Sequence, residues 1–196
     1  MRATGVKERV ERAAIGLFAA RGVDGVSIAD IATAAGVSQG ALYRHYRGKD
    51  ELAARLFASA YRRTGAELAA IGAAERGFAA RIDAMVAHFC TLYDRDAALF
   101  RFMLIAQHDL LPGIDTGIDT GIDPSGAPVG AIEATISDAV AAREIAPVDI
   151  AAAAAVIMGI VLQTALFHLY GRIAGPLTPR APTLARAAIA AVIALT

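Results

Sequence analysis

Apolar residues recur every three to four positions along most of this chain, and they never alternate with polar ones convincingly enough for a strand. That period predicts helices. A first helix is expected over residues 4–21, with Val6, Val10, Ala13, Leu17 and Phe18 on its buried stripe. Lys7, Glu8, Glu11 and Arg12 fall on the opposite, wet side, and Gly22 ends the run. Two short helix patterns follow. Ser27 precedes Ile28, Ile31 and Ala32 at helical spacing, with Asp30 three residues on, as in an N-cap with an acid in the first turn. Gly36 stops that helix as a residue at positive φ does, and Val37 plugs the turn. Ser38 then caps a second helix from Gln39 to about His45.

The same period continues to the end of the chain. A long helix is expected over 49–71, with Asp50 and Glu51 in its first turn and Leu52, Leu56, Phe57 and Tyr61 on its core face. Gly72 and Gly77 bracket an expected break. A fifth helix spans 78–93, and a sixth, with Asp96 as a possible cap, reaches Leu111 before Pro112. Residues 113–124 read GIDTGIDTGIDP, expected to be a dispensable surface loop. Helix seven is expected over 128–144. An eighth opens at Pro147 and runs to about Ile173. After the breaker cluster GPLTPRAP, a ninth starts near Thr183. The fold class is all-α with about nine helices.

Two short helices joined through a glycine turn make a helix-turn-helix, whose second helix can enter the DNA major groove. Gln39 offers an amide able to pair bidentately with adenine. Gly40 and Ala41 are small enough for close approach to base edges. Tyr43, Arg44, His45 and Tyr46 supply rings, hydroxyls and charge for bases and phosphates. Leu42 is expected to point into the core. Lys49 opposes the dipole at a helix start, and a phosphate contact accounts for its presence there. Ser27 and Ser38 complete the expected DNA-binding set.

Residues 6–56, carrying RVERAAIGLFAARGVDGVSI and then ADIATAAGVSQGALYRHYRGKDEL, resemble the N-terminal domain of the TetR family of one-component transcriptional regulators. That family usually has Phe where this chain has Tyr46. The resemblance implies binding to a double-stranded DNA operator, a homodimer and a pocket for a small-molecule effector. It places a DNA-binding domain at 1–48 and a ligand-binding and dimerisation domain at 49–196, linked by the helix over 49–71. Beyond about residue 70 the resemblance is one of architecture only.

Charge agrees with that division. The formal net charge is zero, but residues 1–63 hold 11 Lys and Arg against 6 Asp and Glu, and residues 64–196 hold 8 against 13. The basic charge thus coincides with the motif. Cys90 is the only cysteine, so no disulfide closes within the chain, and the N-terminus does not read as a signal peptide. The expected compartment is the cytoplasm. Residues 150–170 are 21 positions without Asp, Glu, Lys or Arg, long enough to span a bilayer. The favoured reading is a helix buried by its own domain and by a second subunit, not a membrane span. Alanines at 151–155, 187, 188, 190 and 191 permit close helix approach, so helices eight and nine are the expected dimer surface.

No catalytic chemistry emerges. His45, His88, His108 and His168 have no metal-ligand spacing, and there is no P-loop and no GxSxG. Asp115, Asp119 and Asp123 lack the spacing and distal Glu of a calcium loop. No enzyme activity, metal or cofactor is expected. Flexible, aromatic and a few polar residues on the later helices suggest a tolerant cavity: Met85, His88, Phe89, Phe100, Met103, Gln107, Met158, Leu162 and Gln163. The expected function is a repressor released from its operator by a small apolar or amphipathic effector. That effector would be neutral or weakly polar and oriented by His88, Gln107 or Gln163. The alternatives are an effector-independent DNA-associated dimer and a helical enzyme or membrane-associated protein.

Overall fold

The computed structural model describes residues 5–110 and 126–196. The GIDT repeat and Pro112 lie outside them, and so do the expectations attached to both. Among the described residues there are nine α-helices and no strand: α1 Val6–Arg21, α2 Ile28–Ala35, α3 Gln39–Tyr43, α4 Lys49–Ala74, α5 Phe78–Arg95, α6 Ala97–Leu110, α7 Pro128–Ala141, α8 Ile150–Leu169 and α9 Ala181–Ile193. A 3₁₀ turn, Thr178–Arg180, leads into α9.

Packing divides the described residues into two compact units, one of residues 5–61 and 97–110, the other of residues 62–96 and 126–196. This is not the division at 48/49 drawn from the sequence. The first half of α4 and all of α6 pack with the helix-turn-helix, and α4 passes unbroken from one unit into the other.

In the first unit, α1 packs on α2 and α6. Phe18 of α1 stacks on Phe102 of α6, with ring centroids 5.7 Å apart. Ile31, Leu42, Leu52 and Phe57 complete a dry centre. Val6, expected on the buried stripe, is exposed in the first turn of α1. The second unit is built on Ile82, Met85 and Val86 of α5, Ile132 and Ile136 of α7, and Ile157 of α8. Its connections are tied by side chains distant in sequence. Asp94 accepts hydrogen bonds from the backbone N–H of Leu177 (2.9 Å) and Thr178 (2.7 Å) and from the Thr178 hydroxyl (2.6 Å). These contacts hold its carboxyl below the usual range against partial desolvation. The Tyr93 hydroxyl lies 2.6 Å from Nδ1 of His168.

Several helix limits differ from expectation. Gly72 lies inside α4 and breaks nothing. α8 begins at Ile150, because the Asp149 carboxylate, not Pro147, caps it by accepting from the Ala152 N–H. It ends at Leu169, and α9 starts two residues earlier than expected, at Ala181. α7 stops at Ala141, where Arg143 takes a left-handed φ of 60° and the Glu144 N–H bonds the Ala139 carbonyl. The Glu144 carboxylate then accepts the Phe78 N–H, capping α5. An L-residue at such a φ costs about 1 kcal/mol that glycine does not pay. Arg143→Gly is therefore expected to raise stability by about 0.5–1 kcal/mol, read as a higher urea midpoint at unchanged slope.

Candidate nucleic-acid interface

Both short helices are fixed locally. The Ser27 Oγ accepts the Asp30 N–H (3.1 Å), and the Asp30 carboxylate accepts the Ser27 N–H (2.9 Å) and hydroxyl (2.7 Å), a complete capping box. The hydrogen bond from the Ser27 side chain is the main reason the Asp30 carboxyl titrates below its ordinary value. Gly36 ends α2 at φ 65°, ψ 42°, and the Val37 N–H returns to the Ala32 carbonyl (3.0 Å). The Ser38 Oγ accepts the Ala41 N–H (3.2 Å) at the start of α3.

That framework presents one face of α3 to solvent. Gln39, Gly40, Tyr43, Arg44 and His45 are exposed and Ala41 is half-buried, while Leu42 is fully buried beneath them. The caps use Ser27 and Ser38 Oγ as acceptors, so their first task is to orient the helices.

Two residues expected at the interface are placed elsewhere. Tyr46 is 5% exposed. Its hydroxyl donates to Glu11 (3.1 Å), and the Arg55 guanidinium lies 5.8 Å over its ring. Burial first, and the Glu11 charge second, push its phenol up to about 12. The ring fills core volume between helices, so Tyr46 belongs to the support of α3 and not to its DNA-facing surface. Lys49 donates from Nζ to the carbonyls of Val23 (3.0 Å) and Asp24 (3.1 Å), with the Asp24 carboxylate at 3.9 Å. This ammonium closes the turn after α1. Lys49→Ala is thus expected to cost about 0.5–1.5 kcal/mol of stability through the loss of those hydrogen bonds. The salt dependence of DNA binding should keep its slope; a slope shallower by about one unit would restore a phosphate role.

One contributor was missed. Glu51 accepts the Arg47 N–H and pairs with Arg55 at 2.7 Å, fixing the segment between α3 and α4. The backbone bond from Arg47 is the main cause lowering its carboxyl. The signal was Gly48 followed three residues later by Glu, a capping spacing.

The nine residues expected around an effector are divided between the units. Phe100, Met103 and Gln107 lie on α6 in the first, where Met103 packs against the helix-turn-helix core. Met85, His88, Phe89, Met158, Leu162 and Gln163 lie in the second. Met85 and Phe89 are buried, Met158 and Leu162 half-buried, and Gln163 exposed on α8. His88 is engaged with Glu67, Nε2 to Oε2 at 3.0 Å. A trough of about 650 Å³ in the second unit is lined by none of these nine; its walls include Ala84, Ala87, Asp83, Pro182 and Arg186. Among the described residues no cluster of His, Cys, Asp and Glu could hold a metal. Burial raises the Cys90 thiol to about 11, so it is inert at neutral pH.

Residues 12–56 match the family model described as bacterial regulatory proteins, tetR family. They are a TetR-family DNA-binding domain. Those residues carry the helix-turn-helix of that family, and beyond them the likeness to solved structures is one of all-helical fold. The fatty acid degradation regulator FadR of Bacillus halodurans superposes with a TM-score of 0.79 at 15% identity, covering 96% of this chain and 97% of that one. FadR of Bacillus subtilis, solved in complex with stearoyl-CoA, gives 0.75 at 15%, covering 93% and 97%. A tetR-family regulatory protein from Rhodococcus RHA1 gives 0.79 at 21%, covering 97% and 98%. No curated protein matches the chain in sequence. Within this TetR-type domain the capped α2–turn–α3 unit, with its buried Leu42, is the part that both local sequence and family model mark out.

Proposed function

We propose that the chain is an operator-binding homodimer, a repressor released from DNA when an amphipathic small molecule occupies its second unit. The observation that carries the DNA half is the solvent face of α3. An amide at Gln39, two small residues and the Tyr43–Arg44–His45 run stand on a helix clamped by Leu42 and the Ser38 cap. The excess of basic charge in residues 1–63 supplies the attraction to phosphates. Such a function belongs in the cytoplasm.

The dimer rests on α8 and α9. α8 is long and apolar enough by length and composition to cross a membrane, yet 28% of its apolar window is buried in the chain. Phe167, Tyr170, Ile193 and Leu195 stand exposed on or beside these helices. A second copy of the same surface accounts for that apolar area, in the isologous manner of a two-fold dimer.

For the effector, the printed ligand of one similar fold, stearoyl-CoA, points to an acyl-chain amphiphile. The buried aromatic and methionine side chains of α5 suit an alkyl chain. His88 is paired to Glu67, and Gln163 stands on the surface of α8.

The test is selection of an operator from random DNA with the full chain, followed by titration with stearoyl-CoA and with a neutral long-chain acyl ester. Release at micromolar ligand supports the reading. DNA binding indifferent to both would leave an effector-independent dimer. On the selected operator, Gln39→Ala is expected to relax preference at one base pair, costing about 1–3 kcal/mol at the preferred site, with unchanged melting temperature.

A further inference from the structure

α4 runs for 26 residues through both units and carries two interior glycines, Gly65 and Gly72, each about 1 kcal/mol worse than alanine by helix propensity. They are seven residues apart, close to two turns, so they share one face. What lies against that face explains them. A methyl group at Gly65 would overlap the carbonyl oxygen of Gly126 and stand 3.0 Å from the carbonyl carbons of Gly126 and Ala127. The obstacle is backbone, in the two residues just before α7, and it cannot rotate aside. A methyl at Gly72 would lie 3.0 Å from Met85 Cε and 3.1 Å from Thr135 Oγ1. The Thr135 hydroxyl is already committed to the Ala131 carbonyl at 2.9 Å. Between the two notches Leu68 is fully buried, and Glu67 is tied to His88.

We propose that Gly65 and Gly72 form a notched seat that fixes the rotation and axial register of α4 on the second unit, and that both are positioning residues for operator recognition. The argument is steric. Sliding α4 by one residue moves it 1.5 Å and turns it by about 100°, which brings a side chain where only a hydrogen fits. The same unbroken helix continues past Tyr61 and buries Leu52, Ala53, Leu56 and Phe57 in the unit that holds α3. Because the helix is continuous, its register on the second unit is carried along it to the residues packed in the unit of α3. A two-fold dimer reading two half-sites is sensitive to that register through their spacing. This inference rests on the operator-binding reading above.

The experiment uses full-length wild type, Gly65→Ala, Gly72→Ala and the exposed-site control Ala69→Ser. Each is titrated against the selected operator and against versions whose half-sites are moved one or two base pairs closer or further apart. Thermal melting and light scattering accompany every variant. The expected result is that the glycine variants remain folded dimers, lose at least tenfold in affinity at the wild-type spacing, and recover part of it at a neighbouring spacing. Gly72→Ala should change less, because Met85 Cε is the flexible end of a side chain. Ala69→Ser should match wild type. A folded Gly65→Ala with wild-type affinity and spacing overturns the seat. So does an equal loss at every spacing, or an equal shift in the control. If Gly65→Ala fails to fold, Gly72→Ala decides by the same criteria. A wild type that selects no DNA instead overturns the operator-binding reading, and the seat with it.

Discussion

Ala155→Arg should turn a dimer into monomers and remove tight operator binding. α8 separates its faces cleanly. Ala153, Ala154, Ile157, Val161 and Ala165 face the core of the chain, while Ala151, Ala155, Gly159, Gln163 and Phe167 stand exposed at four-residue spacing. That row is one ridge of the helix, and its small members allow a partner helix to approach closely. An arginine in the middle of the ridge overfills the contact and introduces a charge without a partner. By two-fold symmetry it does so twice. Breaking an interface with an unpaired buried charge costs about 3–5 kcal/mol, which corresponds to about two to three and a half decades in association. Light scattering at micromolar concentration should report a monomer, and operator affinity should fall to that of a single half-site. Ala188, one of the alanines the sequence placed on the dimer surface, is fully buried within its own chain, so Ala188→Arg would damage the core. Ala190, two residues on and on the exposed face of α9, replaces it. A wild-type protein that is already monomeric, or an Ala155→Arg dimer with full operator affinity, sinks the interface.

The correction at Ala188 illustrates what the sequence could and could not carry. The helix-turn-helix was legible because every signal for it is local: Ser27 with Asp30, Gly36, Ser38 and the spacing of Ile31 and Leu42 lie within sixteen residues. The supports of that motif were not, because their partners are remote. Tyr46 finds Glu11 thirty-five positions away, and Lys49 finds the Val23 carbonyl twenty-six away. A tyrosine and a lysine near a recognition helix look like DNA contacts until those partners are known. Gly72 shows a different limit. Propensity scores a helix-interior glycine as a breaker, and only the neighbouring Met85 and Thr135 reveal close approach. The boundary of α8 turned on a choice between Pro147 and Asp149, both good openers, and the Asp149 carboxylate won by reaching the Ala152 N–H. The expected effector residues are divided between the units for a topological reason. Periodicity identifies a buried face but not the unit in which it is buried, and Phe100, Met103 and Gln107 on α6 went with the DNA-binding unit.

Leu42→Ala should abolish operator binding by releasing α3 from its base, and should do so with a large loss of stability. α3 is five residues long, far below the length at which an isolated helix persists in water. Its order comes from tertiary contacts: the Ser38 cap, the half-buried Val37 in the turn, and Leu42, which is 1% exposed against the core of α1, α2 and α4 residues. Truncating a buried leucine removes its transfer free energy and leaves a void, together about 2–5 kcal/mol. Because Leu42 is the one large side chain by which α3 is buried, much of that cost falls on the docking of the helix itself. The exposed Gln39, Tyr43, Arg44 and His45 then lose their common orientation, and the entropy of re-ordering them is added to every DNA encounter. The expected readout is a melting temperature lowered by several degrees, with operator affinity reduced more than tenfold even at temperatures where circular dichroism still reports a folded chain. Gln39→Ala provides the contrast: similar helix content, unchanged melting, and a defect confined to base preference. If Leu42→Ala lowered stability by the expected amount yet kept operator affinity, α3 would not be the element that reads DNA. If it left stability unchanged, the packing assigned to Leu42 would be wrong.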